Sequence, residues 1–338
     1  MTLKEIAQMV NVSPSTVSRV LNKHDKYASK EVRERILQIA QETGYVPNTS
    51  ARDLQQMAVS NQKGNMACIF ARSSDHYNDQ FFFSIFSSIQ AEANKNGYAI
   101  KYTISLGNSD LTSYSTMINH ASDIDGVFVL GRSANQEHMQ IDEIHPNVVY
   151  VGLNPQKAQI DQILCNGFKM AMNSVDYLYS LGHRKIGYIG EIQKETRFEG
   201  YLQKMKALGL STEYCIDAPL SIDGGYQGAK ELIQSEDLPT AVFCCNDYVA
   251  IGVVRAITEA GLSVPNDISI LGIDDIEMSR FMNPMLTTTH VPREEMGRFA
   301  VTMMLDRINQ GHTLPVKAEF PFHIVERETC ANVGAPPQ

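Results

Sequence analysis

Residues 2–22 read TLKEIAQMVNVSPSTVSRVLN, a stretch that predicts two short helices with a tight turn between them. Thr2 and Glu5 have the spacing of a capping box, so the first helix is expected to begin at Leu3. Its apolar residues recur with helical spacing and indicate one buried face: Leu3, Ile6, Ala7 and Val10. Asn11 tolerates left-handed backbone and is therefore expected to end this helix.

The second helix is expected to be short and to carry a polar outer face. Ser13 is placed to cap it, and Pro14 takes the first helical position, where a missing N–H costs nothing. The apolar stripe comprises Val17, Val20 and Leu21, and the outer face comprises Ser15, Thr16, Ser18 and Arg19. A third helix is predicted from Ser29 to about Thr43. Such a face is small enough to enter a DNA major groove, although helical spacing alone fits a three-helix core with a solvated face equally well.

The composition bounds the class of protein. The chain has 338 residues, of which 43% are hydrophobic and 20% charged, as in a globular protein of two or three domains. No apolar run approaches the roughly 18 residues of a membrane span, and the N-terminus lacks the features of a signal peptide. The six cysteines have no C-x-x-C spacing. We therefore expect a cytoplasmic protein with reduced thiols, no metal site and no cofactor.

The net charge of −9 is distributed unevenly along the chain. Residues 1–60 carry a formal charge of +2, whereas the remaining residues carry −11. This asymmetry suits a head that contacts DNA and a body that stays away from it.

After residue 62 the sequence alternates between strand-like and helical segments. The predicted strands are 66–71, 98–104, 125–130, 147–153, 185–190, 240–245 and 268–273, and the predicted helices are 80–96, 111–122, 167–181, 197–208, 223–235 and 248–260. Alternation of this kind indicates parallel sheets covered by helices, and the length suits two lobes facing each other across a cleft. Ligands of such sheets bind at the carboxyl ends of the strands.

Several strings closely resemble the LacI/GalR family of bacterial repressors. In the head these are residues 2–22 and VRERILQIAQETGYVPNTSARDL (32–54). In the body they are LGHRKIGYIG (181–190), NDYVAIGVVRAITEAGLSVPNDISILGIDD (246–275) and PMLTTTHVP (284–292). The resemblance covers nearly the whole chain. It implies a small all-α helix-turn-helix head and an α/β, two-lobed body like the type I periplasmic binding proteins.

The resemblance also implies the division into parts. We expect a DNA-binding domain at 1–47, a hinge helix and linker at 48–62, and a ligand-binding and dimerisation body at 63–330. The first lobe would comprise about 63–155 and 284–318, and the second about 156–283 and 319–330. The chain would then cross between lobes near 155, 283 and 318. Because the chain ends CANVGAPPQ, without heptads, a dimer is expected rather than a tetramer.

DNA contacts follow from the resemblance by position. The positions matching base-edge contacts are Pro14, Ser15 and Arg19, and those matching phosphate contacts are Ser13, Thr16 and Asn22. Further expected contacts are Thr2, Ala51 and Arg52. In the family the hinge helix folds on operator DNA, where Asn48 would cap it and Leu54 would wedge into the minor groove. The plainer alternative for Leu54 is an ordinary apolar residue of the linker.

The candidate ligand site lies in the cleft. A sugar needs carboxylate, amide and guanidinium partners for its hydroxyls and an aromatic face for its ring. The residues that match these needs are Phe81, Asn154, Arg197, Asn246 and Asp274. Asn246 is alternatively a helix cap, Arg197 a surface residue and Phe81 part of the core.

Two features of this site qualify the resemblance. Asp274 and Asp275 are adjacent on a loop, which is compatible with a turn or with an acid/base pair. Neighbouring side chains diverge in extended backbone, however, so one carboxylate is expected to bind ligand and the other backbone. After the strand NVVYV several relatives carry an aspartate where this chain reads Gly152-Leu153-Asn154, so no particular sugar can be transferred.

These observations favour a regulator over other classes of protein. An enzyme is not indicated, because the sequence lacks G-x-S-x-G, H-E-x-x-H and phosphate-loop motifs. A transport receptor would explain the body but not the head. We therefore expect a homodimeric repressor of a carbohydrate operon that binds pseudo-palindromic double-stranded operator DNA, associates with the nucleoid when bound, and responds to a sugar in the cleft.

By resemblance, the galactoside branch of the family is the expected one. A family member that responds to a nucleobase, a phosphosugar or a protein co-effector is the alternative. The sequence does not fix whether the ligand induces or corepresses.

Overall fold

A computed structural model describes residues 3–21, 28–42, 62–71, 80–105, 123–131 and 144–333. The chain divides into two compact units, residues 1–62 and 63–338, which are the head and the body. No helix within the described part of the chain is long and apolar enough to cross a membrane. The predicted helix 111–122 lies outside the described residues.

The described part of the head contains the three predicted helices: α1 (Leu3–Met9), α2 (Pro14–Leu21) and α3 (Lys30–Glu42). The expected hinge helix lies outside the described residues. Asn11 has a φ of 54°, so it makes the left-handed turn that ends α1, as predicted. The hydroxyl of Ser13 accepts a hydrogen bond from the backbone N–H of Thr16 at 3.1 Å, which caps α2. The small core contains Ile6, Ala7, Val17, Val20, Ile36 and Ile39.

In its described residues the body contains two six-stranded sheets, one in each lobe. The first-lobe strands are β1 (Gly64–Phe70), β2 (Tyr98–Ser105), β3 (Gly126–Leu130), β4 (Val148–Gly152), β5 (Asp161–Leu164) and β11 (Lys317–Glu319), in the order β11-β5-β4-β3-β1-β2. The second-lobe strands are β6 (Ile186–Gly190), β7 (Cys215–Asp217), β8 (Ala241–Cys244), β9 (Ser269–Asp274), β10 (Thr287–His290) and β12 (His323–Val325), in the order β12-β10-β9-β8-β6-β7. All pairings are parallel except that of β12 with β10.

Helices cover both sheets, as the β/α alternation predicts. They are α4 (Gln80–Lys95), α5 (Gly167–Ser180), α6 (Thr196–Ala207), α7 (Ile222–Leu232), α8 (Asp247–Glu259) and α9 (Arg293–Ile308), with a 3-10 turn at Glu277–Arg280. Helix α9, which the predicted series lacks, packs against α4 in the first lobe. Gly297 lies so close to the α4 backbone that an added Cβ would come within 2.7 Å of the Ile85 carbonyl oxygen.

The crossings between lobes differ from their expected positions. Strand β5 belongs to the first sheet, so the first crossing follows Leu164 rather than residue 155. Strand β10 belongs to the second sheet, so the second crossing falls at 291–292 rather than near 283. The third lies between β11 and β12, close to the expected residue 318.

The sequence misplaced the first two crossings because β5 and β10 are polar four-residue strands, DQIL and TTTH. Their sequences are typical of loops, and only their pairing with other strands shows that they are strands.

The first residue of β5, Asp161, is fully buried within a network that fastens the edge of the first sheet. Its carboxylate accepts from Arg307 Nη2 at 2.8 Å, His312 Nε2 at 2.9 Å and the Val316 N–H at 2.8 Å. Burial raises the pKa of Asp161, but these donors outweigh burial and leave the pKa below its usual value. His312 also contacts Asp306, and the two carboxylates raise the pKa of His312.

We expect His312→Asn to change how stability depends on pH. Because the pKa of His312 is raised in the folded state, its contribution is fully present below its unfolded pKa of about 6.5 and is lost as pH rises through the folded pKa. Urea-denaturation midpoints between pH 5.5 and 9 should therefore fall less steeply with pH in the variant. His183→Asn is a control of opposite sign, since burial lowers the pKa of His183. Parallel curves for His312→Asn and the parent would contradict the prediction.

Candidate functional site

The head and the body each carry a candidate site. In the head, Ser13 and Pro14 are exposed at the start of α2, and Thr16 is half-buried. The hydroxyls of Ser13 and Thr16 lie 2.8 Å apart and hydrogen-bond to each other. Ser15 and Arg19 lie on α2, but their side chains are outside the described part of the structure. The other expected DNA contacts are also outside it: Thr2, Asn22, Asn48, Ala51, Arg52 and Leu54.

In the body, the expected ligand residues gather at the carboxyl ends of strands. Asp274 ends β9, Asn246 follows β8 and Arg197 follows β6, and these three strands are neighbours in the second sheet. Phe81 follows β1 and Asn154 follows β4 in the first sheet. Arg197 and Asp274 are close enough that the carboxylate helps to raise the pKa of the guanidinium. The fold therefore brings the polar candidates of the second lobe together at one edge.

Asp274 sits in strained backbone. Its φ is 119° and that of Asp275 is 51°, so two consecutive non-glycine residues have positive φ. The turn is held by Asp247, which is fully buried and accepts from the Ile276 N–H at 2.9 Å and from the Thr288 hydroxyl at 2.5 Å. Burial, reinforced by the charge of Asp274, raises the pKa of Asp247 well above its usual value. Asp247 therefore supports this turn rather than capping α8.

Asp275 has structural partners on several segments. Its carboxylate accepts from the guanidinium of Arg327 and from His290 Nδ1, the latter at 2.9 Å. Burial raises the pKa of Asp275, but Arg327 and His290 outweigh burial, and the net pKa is lowered. Asp275 is thus a charged anchor for the turn, and the strain at Asp274 is maintained by the contacts of its neighbours.

Arg197 is buried, with 3% of its surface exposed, so the surface alternative is wrong. Its Nε donates to Glu195 Oε1 at 2.8 Å and its Nη2 to Glu195 Oε2 at 3.1 Å, while Nη1 donates to the Cys245 carbonyl at 2.8 Å. Burial lowers the pKa of Arg197, but the fully buried Glu195 outweighs it and holds the pKa well above its usual value. The bidentate geometry fixes the guanidinium beside Asn246.

Sequence reasoning did not identify Glu195. Its signal was present, since Glu195 caps α6 by accepting from the Arg197 N–H at 3.1 Å, two residues along the chain.

Asn246 is the N-cap of α8, and its Oδ1 accepts from the Val249 N–H at 2.9 Å. The capping role and the ligand role are compatible, because capping uses only the carbonyl oxygen of the amide. Within the described residues nothing accepts from its Nδ2, so both amide protons can be offered to a ligand.

The remaining two candidates lie nearby. The Asn154 Oδ1 accepts from the hydroxyl of Thr196, beside Arg197. Phe81 is 4% exposed and meets Phe82 edge-on, with ring centroids 4.9 Å apart. The first turn of α4 meets the second lobe directly, since the Gln80 N–H donates to the Tyr248 hydroxyl at 3.2 Å.

The described residues contain no group of three or more His, Cys, Asp or Glu side chains arranged to hold a metal ion. The chemistry that this edge supports is hydrogen bonding: one carboxylate as acceptor, with amide and guanidinium groups as donors.

Comparison with known proteins points to one family for both units. The family described as "Bacterial regulatory proteins, lacI family" matches residues 2–48, and the "Periplasmic binding protein-like domain" matches 175–330. The HTH-type transcriptional repressor PurR of Pasteurella multocida (strain Pm70) is 32% identical over 91% of this chain and 92% of its own length. The ribose operon repressor of Haemophilus influenzae is 31% identical over 91% of this chain and 92% of its own length.

Solved structures agree with these matches. The lac repressor dimer bound to operator and the anti-inducer ONPF superposes with a TM-score of 0.70 at 25% identity, covering 98% of this chain and 99% of that one. A complex of the transcriptional regulator CelR with cellobiose has the same fold, with a TM-score of 0.70 at 23% identity, covering 97% and 99%.

Removing Glu195 should destabilise the body. Glu195→Ala leaves the buried Arg197 guanidinium without its carboxylate, and breaking a buried pair in this way costs about 3–5 kcal/mol. The free energy of unfolding from urea titration measures this. Glu199→Ala, an exposed carboxylate on the same helix, is the matched control and should change stability by less than about 0.5 kcal/mol. Equal effects of the two substitutions would refute the assignment of Glu195.

Proposed function

This chain belongs to the LacI family and is a transcriptional repressor, and from that premise we propose that a small uncharged sugar bound in the body controls its affinity for operator DNA. The body is proposed to span 63–330, the helix-turn-helix domain 1–47 and the hinge helix and linker 48–62. The observation that carries the proposal is the edge of the second sheet, where one carboxylate faces amide and guanidinium donors.

The charges around the site favour an uncharged ligand. The charge of Arg197 is balanced by its bidentate pairing with Glu195, and that of Asp275 by Arg327. Asp274 then adds a carboxylate that accepts hydrogen bonds from hydroxyls and repels phosphate. A sugar supplies hydroxyls that both donate and accept, which suits this mixture better than a phosphosugar. The 31% identical ribose operon repressor is consistent with a sugar effector.

The DNA-binding role is assigned to α2 and the hinge. We propose that Pro14, Ser15 and Arg19 face base edges, with Ser13, Thr16 and Asn22 on phosphates. In the hinge, Asn48, Ala51, Arg52 and Leu54 are proposed to contact DNA, with Leu54 as the minor-groove wedge. Because one short helix reads few bases, two copies are needed for a specific site.

A second copy has a candidate surface on the body. Phe281 is 79% exposed, and Met278 and Met285 beside it are also exposed, which makes an apolar patch on the second lobe. Exposed apolar patches of this kind mark interaction sites. We assign this patch to the dimer interface, in keeping with the dimeric state of the lac repressor neighbour.

The proposed control of operator affinity follows from the thermodynamic linkage between ligand binding and the arrangement of the lobes. A ligand changes operator affinity only if it binds the DNA-competent and the DNA-incompetent arrangements of the lobes with different affinity. We propose that the sugar weakens operator binding, because it adds contacts between the lobes that favour the DNA-incompetent arrangement.

The first test is a thermal-shift screen of the purified protein against galactosides, glucosides, pentoses, phosphosugars and purines. The chain has no tryptophan, so an extrinsic dye reports unfolding. A ligand at about 100 times its Kd should add about 2.7 kcal/mol of stability. A response to purines or phosphosugars alone would overturn the sugar assignment.

Asp274→Ala should abolish the response to the sugar while operator affinity is retained. Losing a carboxylate that accepts hydrogen bonds from two hydroxyls should weaken sugar binding roughly a hundredfold or more. Fluorescence anisotropy on an operator selected from random DNA measures both properties. Asp223→Ala, an exposed carboxylate of the same lobe, is the control. A variant that releases operator at the parent's sugar concentration would remove Asp274 from the site.

Phe281→Asp should shift the protein from dimer to monomer. A charge in a buried apolar interface should cost roughly 2 kcal/mol or more of association free energy. Sedimentation equilibrium measures the change, and Leu314→Asp, at a residue 76% exposed on the first lobe, is the control. If both variants remain dimeric, the interface lies elsewhere.

A further inference from the structure

Arg293 is a half-buried cation that sequence reasoning did not assign to the ligand site. It is the first residue of α9, directly after the chain crosses from β10 in the second lobe to the first lobe. Helix α9 is fixed to α4, since the Ser88 hydroxyl donates to the Glu294 carbonyl at 2.6 Å. Arg293 is therefore part of the first lobe, although it lies next to the crossing.

The guanidinium of Arg293 reaches the turn that carries Asp274. Its Nη2 donates to the carbonyl of Asp275 at 2.9 Å, and its Cζ lies 5.9 Å from the centroid of the Phe81 ring. The Nε is buried and has no hydrogen-bond partner among the described residues. A buried N–H of this kind costs stability unless a partner is supplied, so the position is suited to an added acceptor.

The two lobes otherwise contribute unequally to the site. Arg197, Asn246 and Asp274 all come from the second lobe. Among the described residues, the first lobe offers the aromatic ring of Phe81, the amide of Asn154, whose Oδ1 already accepts from Thr196, and the guanidinium of Arg293. A ligand that contacts both lobes can favour one arrangement of them, and Arg293 is a charged group of the first lobe that is placed to make such a contact.

Charge identifies the class of ligand. Arg293 brings one positive charge to the turn that carries the carboxylate of Asp274, while Arg197 and Asp275 are already balanced within the protein. The site is therefore balanced before a ligand enters, and an uncharged ligand leaves it so. The Nε of Arg293 requires an acceptor oxygen, which a hydroxyl, ring or glycosidic oxygen supplies.

We propose that Arg293 is a first-lobe contact to the effector, donating from Nε to one oxygen of an uncharged polyhydroxylated ligand whose other hydroxyls are bound by Asp274 and Asn246. The proposal rests on the proposed sugar-binding function and specifies how the first lobe senses the ligand. It also makes Arg293 a determinant of specificity, since a ligand without an acceptor at that position loses the contact.

The test is a cycle that combines protein variants with ligand analogues. Wild-type protein is first titrated calorimetrically with methyl β-galactoside, methyl β-glucoside, ribose and cellobiose. The tightest-binding sugar is then compared with its series of monodeoxy analogues on wild type, Arg293→Met and Arg293→Lys. Arg280→Met is the matched control, since Arg280 is a mostly exposed cation 3.6 Å from Asp275.

We expect Arg293→Met to raise the Kd of the parent sugar by roughly tenfold to a hundredfold, with partial rescue by Arg293→Lys and little change in Arg280→Met. One deoxy analogue should bind wild type more weakly than the parent sugar does. On Arg293→Met the same analogue should bind as tightly as the parent sugar, because the donor to the missing oxygen is already absent. A structural role for Arg293 would instead lower affinity for every analogue by the same factor, and that additive result would overturn the proposal.

Other outcomes are equally decisive. An unchanged Kd in Arg293→Met would remove Arg293 from the site while leaving the proposed function intact. If the matching uronate binds wild type more tightly than the sugar, and Arg293→Met loses that preference, the assignment of an uncharged ligand is overturned. If no sugar binds wild type, both this inference and the proposed function fail.

Discussion

The body depends on the buried carboxylate of Asp275, which joins segments that are distant in sequence. It binds Arg327, which follows β12, and His290, which ends β10, and its carbonyl accepts from Arg293 at the start of α9. Arg327 in turn donates to the Leu286 carbonyl at 2.8 Å and to the Ser279 hydroxyl at 3.0 Å. One residue therefore holds the strained turn, the edge of the second sheet and the second crossing in register.

This anchoring explains how the protein keeps a positive φ at Asp274. Such backbone costs about 1–3 kcal/mol for a non-glycine residue and persists only where surrounding contacts determine it. Asp247, Asp275 and Arg293 supply those contacts from three different segments. The carboxylate of Asp274 is consequently held by contacts that the ligand does not need to provide, so binding pays little entropy for ordering it.

The sequence predicted the parts of the molecule whose signals are local. The tight turn at Asn11, the cap at Ser13 and the alternation of strands and helices all follow from short-range patterns, and the structure confirms them. Strands β5 and β10 could not be predicted in this way. Asp161 and Thr288 are tolerated in buried strands only because Arg307 and Asp247 approach them from elsewhere in the chain.

The residues of the candidate site fall into the same two groups, those with a local sequence signal and those placed by distant parts of the chain. Asp274, Asn246 and Arg197 follow strands, so their position in the alternation and the family resemblance together singled them out. Arg293 begins a helix that the pattern analysis did not predict, and its partner Asp275 is eighteen residues away. Its position beside the site is determined by the second crossing between the lobes, which no local sequence pattern predicts.

The contacts between the lobes also indicate how small a binding free-energy difference can shift the balance between their arrangements. Among the described residues, hydrogen bonds join them near the site from the Gln80 N–H to Tyr248, from the Thr196 hydroxyl to Asn154 and from Arg293 to the Asp275 carbonyl. A typical hydrogen bond contributes about 0.5–1.5 kcal/mol, and one to a charged group about 1.5–3 kcal/mol. A tenfold change in an equilibrium requires about 1.4 kcal/mol. A ligand that makes or replaces one such contact can therefore shift the balance between arrangements about tenfold, without a large rearrangement of either lobe.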